Sequence, residues 1–403
     1  MRVPHRDLSK HEWTVIEYGL IAALVIYSVY FLTGFRFDAL ISGDTRQVDF
    51  RMWYLLPPQI RARDYPSAIS GDWTIPFAYL PSAVAMLLPL SLMGQVTAFI
   101  VWMVLQGISL AVVLWASLSL AGMARSHLRL PIAIAAIFVT GAAIEWDMRA
   151  HNNNLIYLAL IMLGLKAKQP WVSAVLWAVT TNLKLYSAVL IPGLLWRREY
   201  RLAVMTASAT LAIGIILPLL VFGYANSIRL HGSWFNVILY TMSPDGLAAA
   251  PLSLQKTSGA LLAAEPTSSI VIIVSRTLQA LWLLLVLCYF VIAAKRDTRD
   301  GDGNVARLCD FMVMLMLPLP ISSWLVPYHG IVMLPAFILI VSAMIEVRHS
   351  ILVRALAGIA VVGCITLRFA IPAWNLRAGT LLLSLVLTVL ALGAIRMSPY
   401  RAS

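Results

Sequence analysis

Five carboxylates lie in one polar stretch that follows the first long apolar run of the sequence. They are Asp38, Asp44, Asp49, Asp64 and Asp72. A positioned carboxylate is a common general base for the hydroxyl group of an acceptor substrate. Residue type alone gives all five the same claim to that role.

A second set of polar residues recurs near the ends of later apolar runs, where polar groups are costly unless they bind something. It comprises Arg149, His151, Asn152, Asn154, Lys184, Lys256 and His329. Cationic groups bind phosphate oxygens through charge-assisted hydrogen bonds, which amide donors supplement. A carboxylate base combined with such a set indicates transfer from a phosphate-bearing donor to a hydroxyl acceptor. A lipid-linked sugar phosphate that enters from the bilayer would suit this arrangement.

Members of this second set also have plain structural explanations. Lys184 could extend from a helix end to the membrane boundary, and Arg149 could pair with a neighbouring carboxylate. Asn152 and Asn154 could cap helices, and His329 could be a packed histidine. The residue types alone leave these alternatives open.

Metal-ligand spacing is absent from the sequence. The three cysteines lie in or beside apolar runs and have neither the spacing of a zinc site nor that of a disulfide framework. The segment DTRDGDGN at 297–304 looks like a calcium loop but lacks its closing Glu. No residue can therefore be assigned as a metal ligand from the sequence.

The composition of the chain is that of a membrane protein. Hydrophobic residues make up 61% of the 403 residues and charged residues 12%, whereas soluble domains are typically about half apolar and a quarter charged. A spanning helix takes roughly 20 apolar residues, so we predict one all-α polytopic membrane domain over residues 1–403. The net charge of +12 then indicates cytoplasmic loops that face anionic lipid, and no nucleic-acid partner.

The distribution of basic residues predicts the topology, because Lys and Arg collect in cytoplasmic loops. Seven basic clusters begin at Arg2, Arg125, Lys166, Arg197, Lys295, Arg348 and Arg396. All seven lie on one side only if the apolar run 79–93, which contains Pro81 and Pro89, does not cross. We therefore predict about twelve crossings, both termini in the cytoplasm, and a long first outer loop, 34–95, with a re-entrant or juxtamembrane helix at 79–93.

Six segments, in order along the chain, resemble the motifs of one family. They are VDFRMWY (48–54), PFAYLPSAVAMLLPLSLM (76–93), RAHNNNL (149–155), NLKLYSAVLIPGLLWRREYR (182–201), PLSLQKTSG (251–259) and SSWLVPYHGIVMLP (322–335). Together they resemble glycosyltransferase family 87, of the GT-C class of membrane glycosyltransferases. The chain departs from the family pattern at Leu80, where proline is usual, and at His151, where glycine is usual.

The resemblance implies roles for particular residues. Asp49 is implied as the general base, with Asp44 as its main competitor. The donor phosphate is implied to be bound by Lys184, Arg149, Asn152, Asn154 and Lys256. The substrate cavity is implied to be lined by His329, Trp324, Tyr79 and His151, although Tyr79 and Trp324 could equally be interfacial aromatic residues.

The resemblance also implies substrates and a location. The donor would be a polyprenyl-phosphate sugar, with mannose as the sugar that the resemblance favours because the family includes mannosyltransferases, and the acceptor a lipid or glycolipid. Transfer would invert the anomeric carbon on the outer, periplasmic face of a bacterial-type inner membrane, within the cell envelope. No cofactor is certain, and a divalent metal ion stays possible because several GT-C enzymes use one.

Two other function classes share this predicted topology. A transporter or flippase for polyprenyl-linked substrates would usually show repeated halves and polar residues near the membrane midplane. The sequence shows no such repeat, and its polar residues gather at one face. A glycan ligase that uses polyprenyl-linked substrates fits the topology as well as a transferase does.

Overall fold

The computed structural model describes the chain in segments, most of them after residue 78. These segments are 50, 54, 79–123, 126, 128–242, 253–294, 303–321, 327–345, 350–370 and 377–397. The candidate bases Asp44 and Asp49, and also Trp324, lie outside the described residues. The backbone of Arg149 is described, but its side chain is not.

The described residues are 89% helical and contain no strand. The α-helices are α1 Pro81–Ser91, α2 Gln95–Leu120, α3 Arg129–Ala150, α4 Asn154–Lys166, α5 Pro170–Leu183, α6 Leu190–Trp196, α7 Tyr200–Phe222, α8 Tyr224–Met242, α9 Leu254–Leu262, α10 Ser269–Ala294, α11 Gly303–Met316, α12 Met333–Ile345, α13 Ile351–Ala370 and α14 Arg377–Met397. Short 3-10 segments follow at Leu185–Val189, Leu319–Ile321 and Pro327–Val332. The predicted all-α class is confirmed.

Six helical segments among the described residues are long and apolar enough to cross a membrane. They are Gln95–Leu120, Arg129–Met148, Tyr200–Phe222, Ser269–Ala294, Gly303–Ile321 and Thr380–Met397. Large apolar side chains on their outer faces are exposed, including Leu220 at 78% and Ile273 at 63%. Such faces are stable only against lipid or another protein. The fold is therefore that of a polytopic membrane protein.

Helices α11 and α12 form the centre of the bundle. Every residue from Met333 to Ala343 on α12 and from Leu308 to Met316 on α11 is buried. Helix α12 packs against α2, α3, α13 and α14, while α4 packs between α2 and α5. A helix that is apolar on all sides belongs at the centre of a bundle, where no face meets solvent.

Helix α1 is only 11 residues long and has Pro81 at its start and Pro89 inside it. At 1.5 Å per residue it measures about 16 Å, roughly half of the hydrocarbon thickness. The Ser82 hydroxyl donates to Asn182 Oδ1 at 2.6 Å, and Asn182 Nδ2 donates to the Thr210 carbonyl at 3.1 Å. These bonds fasten α1 to α5 and α7. The length is compatible with a helix that does not cross, and the topology stays a prediction.

A buried ion cluster joins the ends of α6 and α14 to α11. The Asp310 carboxylate accepts hydrogen bonds from Arg197 Nη1, from Arg396 Nε at 3.4 Å and from the Tyr289 hydroxyl at 2.9 Å. Its side chain is 2% exposed. Two arginines and a phenol therefore offset the burial of one carboxylate, and four helices, α6, α10, α11 and α14, are held together.

We expect Asp310→Asn to destabilise the protein. Removing one partner of a buried ion pair leaves the other charge uncompensated and costs roughly 3–5 kcal/mol. The unfolding temperature in detergent should fall by several degrees. Glu199→Gln is the control, because Glu199 pairs with Arg197 and Arg307 at a site where its side chain is 26% exposed. An equal fall in the unfolding temperature of the two variants would contradict the conclusion that the Asp310 cluster stabilises the helix bundle more than the Glu199 ion pairs do.

Candidate functional site

The tight turn between α3 and α4 forms the first wall of the site. His151 adopts φ 52° and ψ 39°, in the left-handed region. Its backbone N–H donates to the Met148 carbonyl at 3.3 Å, and the Asn152 N–H donates to the Asp147 carbonyl at 3.1 Å. This is a helix C-cap geometry that favours glycine. The resemblance noted in the sequence implies glycine at this position, and the left-handed backbone conformation of His151 would favour glycine for a physical reason.

Two polar side chains of α2 fix this turn in place. Trp102 Nε1 donates to the His151 carbonyl at 2.9 Å, and Gln106 Nε2 donates to the Asn152 carbonyl at 2.8 Å. Both side chains are buried. Since buried carbonyl groups need partners, these bonds both satisfy the turn and set its position relative to α2.

The second wall is the break between α5 and the 3-10 segment Leu185–Val189. Helix α5 ends at Leu183, and Lys184 is extended, with φ −151° and ψ 109°. Asn153 Nδ2 donates to the Leu183 carbonyl at 3.4 Å. The break therefore lies directly beside the turn that carries the asparagines.

The Lys184 ammonium lies buried between the two walls. Its Nζ donates to Asn154 Oδ1 and, at 3.3 Å, to Asn152 Oδ1. The rings of Tyr157 and Tyr186 lie 5.5 and 5.9 Å from Nζ, within the range of cation–π attraction. Lys184 is only 6% exposed, so it does not extend to a solvated boundary as a snorkelling lysine would. We refer to Asn152, Asn154 and Lys184 as the amide–lysine cluster.

A buried carboxylate, Asp147, adjoins the amide–lysine cluster. Its Oδ1 accepts from Asn154 Nδ2 at 2.5 Å, and its Oδ2 accepts from the backbone N–H of Leu155 at 3.3 Å. Asp147 is fully buried, in the last turn of α3. The site thus contains both a cation and an anion, connected by the Asn154 amide.

Aromatic rings cover one side of the turn. The His151 ring meets Phe99 edge to face at 4.7 Å between centroids and Phe50 at 6.5 Å. Phe50 also meets Phe99 at 5.3 Å and is 1% exposed. Burial lowers the pKa of His151 to about 4, so the imidazole is neutral at physiological pH. The His151 ring therefore packs in the wall as a neutral group, and its role as a lining residue of the substrate cavity stays a prediction.

His329 reaches the amide–lysine cluster through Tyr186. The His329 ring meets the Tyr186 ring edge to face at 5.5 Å, and His329 is 3% exposed. Tyr186 is the same residue whose ring lies near Lys184 Nζ. His329 is therefore one aromatic ring away from the ammonium.

The other predicted site residues are less closely joined. Tyr79 packs beside the apolar cluster that includes Phe50 and Phe99. Lys256 lies on α9, where its backbone N–H donates to the Ser253 side chain at 3.0 Å. Within the described segments, no hydrogen bond or ion pair joins the Lys256 ammonium to the amide–lysine cluster.

Sequence reasoning missed four contributors to this site. Asp147, Trp102, Gln106 and Tyr186 hold or face the cluster, but none was predicted as a site residue. The sequence could have identified two of them. Trp102 and Gln106 are one helical turn apart on the same face of an otherwise apolar run. A buried glutamine in such a run requires a polar partner.

The described residues contain no group of three or more His, Cys, Asp or Glu side chains that could hold a metal ion. The cation that the described part of this site provides is the Lys184 ammonium, held by two amide oxygens. A buried ammonium beside amides is suited to a phosphate or another anion that enters the same space.

Comparison with known proteins gives one match. The family model of glycosyltransferase family 87 matches residues 77–318, which is more than half of the chain. The matched region contains α1 to α11 and all three members of the amide–lysine cluster. No curated protein and no solved structure matches the chain.

Proposed function

Because the chain belongs to glycosyltransferase family 87 and is a membrane glycosyltransferase on that ground, we propose that its donor is a polyprenyl-phosphate sugar, mannose in the first instance. The acceptor in this proposal is a lipid or glycolipid hydroxyl. The observation that carries the proposal is the buried Lys184 ammonium, held by Asn152 and Asn154 oxygens. A buried cation of this kind suits a phosphate that arrives on a lipid tail.

In the proposed mechanism, the acceptor hydroxyl attacks the anomeric carbon of the sugar in one displacement. Asp49 takes the hydroxyl proton, the new glycosidic bond forms, and the bond from the anomeric carbon to the phosphate oxygen breaks. The configuration inverts because no carboxylate nucleophile intervenes. The leaving polyprenyl phosphate departs as an anion and needs no acid.

Lys184 has the electrostatic role in this mechanism. Negative charge develops on the leaving phosphate oxygen in the transition state, and a fixed ammonium stabilises that charge without reorganising. The effect is large where water is excluded. Burial of Lys184 and of both asparagines favours this environment.

The position of Phe50 supports Asp49 as the base. Phe50 packs against Phe99 and His151, in the wall of the turn that carries the asparagines. Consecutive Cα atoms are about 3.8 Å apart. A base next to Phe50 in the sequence is therefore compatible with a site built on this turn, whereas Asp44 is six residues away from Phe50.

The donor is identified by an assay with purified protein in detergent. Radiolabelled polyprenyl-phosphate sugars that differ in the sugar are offered together with an extract of endogenous lipids. We expect one sugar, mannose, to be transferred to lipid by the wild type, and much more slowly by Asp49→Asn. Transfer of a whole glycan and not of a single sugar would indicate a ligase. Substrate movement across vesicles without any transfer would indicate a flippase.

We also propose that the site opens on the outer face and that both termini are cytoplasmic, which labelling can test. Single cysteines at Gly94 and His127, on either side of α2, should react with impermeant reagents from opposite sides, Gly94 from outside. A cysteine at Gly94 is sterically tolerated, since a Cβ there meets no atom within 4 Å. Reaction of both cysteines from the cytoplasm would contradict the topology and the outer-face site.

A further inference from the structure

The Asp147 carboxylate has no role in the mechanism above, although it lies beside the amide–lysine cluster. We infer that Asp147 is a positioning residue that fixes the Asn154 amide, so that its oxygen holds the Lys184 ammonium in place for the donor phosphate. This inference rests on the proposed function. It assigns the carboxylate no contact with the reacting atoms.

The location of Asp147 is electrostatically unfavourable for a carboxylate. It lies in the last turn of α3, where the carbonyl ends of the helix disfavour negative charge, and it is fully buried. Burial of an ionised carboxylate is costly unless hydrogen bonds and opposite charge compensate it. Among the described residues, the start of α4 contributes to this compensation, through the Leu155 N–H and the Asn154 Nδ2 group.

The hydrogen bonds allow only one orientation of the Asn154 amide. A carboxylate accepts and cannot donate, so the Asn154 NH2 group must face Asp147. An ammonium donates and cannot accept, so the Asn154 oxygen must face Lys184. A flipped amide would place its NH2 group against the ammonium and its oxygen against the carboxylate. Asp147 and Lys184 therefore impose the same orientation from opposite sides.

The consequence is that Asp147 acts on Lys184 through Asn154. The carboxylate polarises the amide, which strengthens the acceptor that Lys184 uses. It also places a negative charge one side chain away from the buried ammonium. Without that charge, Lys184 alone sets the orientation of the Asn154 amide, and the oxygen that accepts from the ammonium is less strongly polarised.

Asp147→Asn is the direct test, because the new amide has the same shape and can still accept from the Leu155 N–H. It no longer requires the Asn154 NH2 group to face it. We expect the KM for the polyprenyl-phosphate donor to rise about tenfold, the effect of losing one hydrogen bond to a charged group. The KM for the acceptor should change less than twofold. Asp310→Asn is the matched control, since it removes a buried carboxylate that binds Arg197, Arg396 and Tyr289 and not the amide–lysine cluster. It should leave the donor KM unchanged.

A double exchange separates positioning from mere structural support. In Asp147→Asn/Asn154→Asp, the amide at 147 accepts from the Leu155 N–H and donates to the carboxylate at 154, which accepts from Lys184. Every donor again meets an acceptor, so we expect the donor KM to return to within about threefold of the wild type. Asn154→Asp alone places two carboxylates together and should not show this recovery.

The outcomes distinguish this inference from the proposed function. Two results with active Asp147→Asn protein would overturn the positioning role but not the proposed transferase function. One is a wild-type donor KM, and the other is an equal rise in the donor KM and the acceptor KM. A donor KM that stays raised in Asp147→Asn/Asn154→Asp would also overturn the positioning role. If the wild type transfers no sugar from any polyprenyl phosphate, the proposed function fails. The positioning role is then tested by the rise in unfolding temperature that a short-chain polyprenyl monophosphate causes when it binds. An equal rise for wild type and Asp147→Asn would overturn the positioning role.

Discussion

Replacing Asp49 with asparagine should reduce the turnover of the transferase by a factor of about 10² to 10⁴, the usual contribution of a positioned general base. Asparagine keeps the shape and much of the hydrogen bonding of the side chain, but it cannot accept the proton of the acceptor hydroxyl. Folding and donor binding should survive, because the donor phosphate is assigned to Lys184 and the asparagines. The measurement is single-turnover transfer with saturating donor, alongside a separate donor-binding assay.

Asp44→Asn is the matched control for this prediction, because it removes the same group five residues earlier on the same stretch. It should retain near wild-type turnover. If the Asp44→Asn protein is inactive and the Asp49→Asn protein is active, the general base is Asp44. Full transfer by both variants would refute a base on this stretch and the mechanism with it.

The apolar runs predicted most of the helices well, because a lipid-facing helix must be apolar over its whole length. The sequence has long apolar runs at 96–121, 202–222 and 378–395, and these correspond to α2, α7 and α14 within a few residues. Helix α8 was missed, since Arg229, His231 and several small polar residues interrupt its apolar pattern. Amphipathic membrane helices give a weak signal to any criterion based on mean hydropathy.

Breaks within the helical segments were also missed. The apolar run of the sequence at 185–196 forms a 3-10 segment followed by the short helix α6. The run at 328–345 likewise forms a 3-10 segment followed by α12. Such breaks depend on tertiary partners that satisfy the freed backbone groups, which a local sequence pattern does not show. The break before Leu185 places Lys184 beside the asparagines.

The amide–lysine cluster was predictable as a set of residues but not as a geometry. Residue type and the family resemblance selected Asn152, Asn154 and Lys184, and the structure brings these three together. The residues that fix them were not selected, because Trp102 and Gln106 act across about 50 positions of sequence. Asp147 was visible only as a possible partner of Arg149. Which of several nearby polar groups a carboxylate binds is decided by packing and not by spacing.

Replacing Lys184 with alanine should weaken donor use by about 10- to 150-fold in kcat/KM, while the KM for the acceptor changes little. The physical reason is the loss of a charge-assisted contact to the donor phosphate, worth roughly 1.5–3 kcal/mol, at about a factor of ten for each 1.4 kcal/mol. The loss should appear in both kcat and donor KM if the ammonium binds the phosphate in the ground state and also stabilises the leaving anion. The measurement is initial-rate kinetics with the donor varied at saturating acceptor.

The matched control for Lys184→Ala is Lys166→Ala. Lys166 ends α4, where its ammonium donates to the Ser119 hydroxyl and lies 4.1 Å from the centroid of the Trp115 ring. It therefore resembles Lys184 in having a polar and an aromatic partner, but it lies at the opposite end of α4 from Asn154. Its replacement should leave donor kinetics unchanged. Because the two variants lose the same charge from the same protein, a donor defect confined to Lys184→Ala cannot come from net charge. Unchanged donor dependence in Lys184→Ala would make Lys184 a structural cation that holds the two asparagines, and the phosphate would have to be bound by a different group.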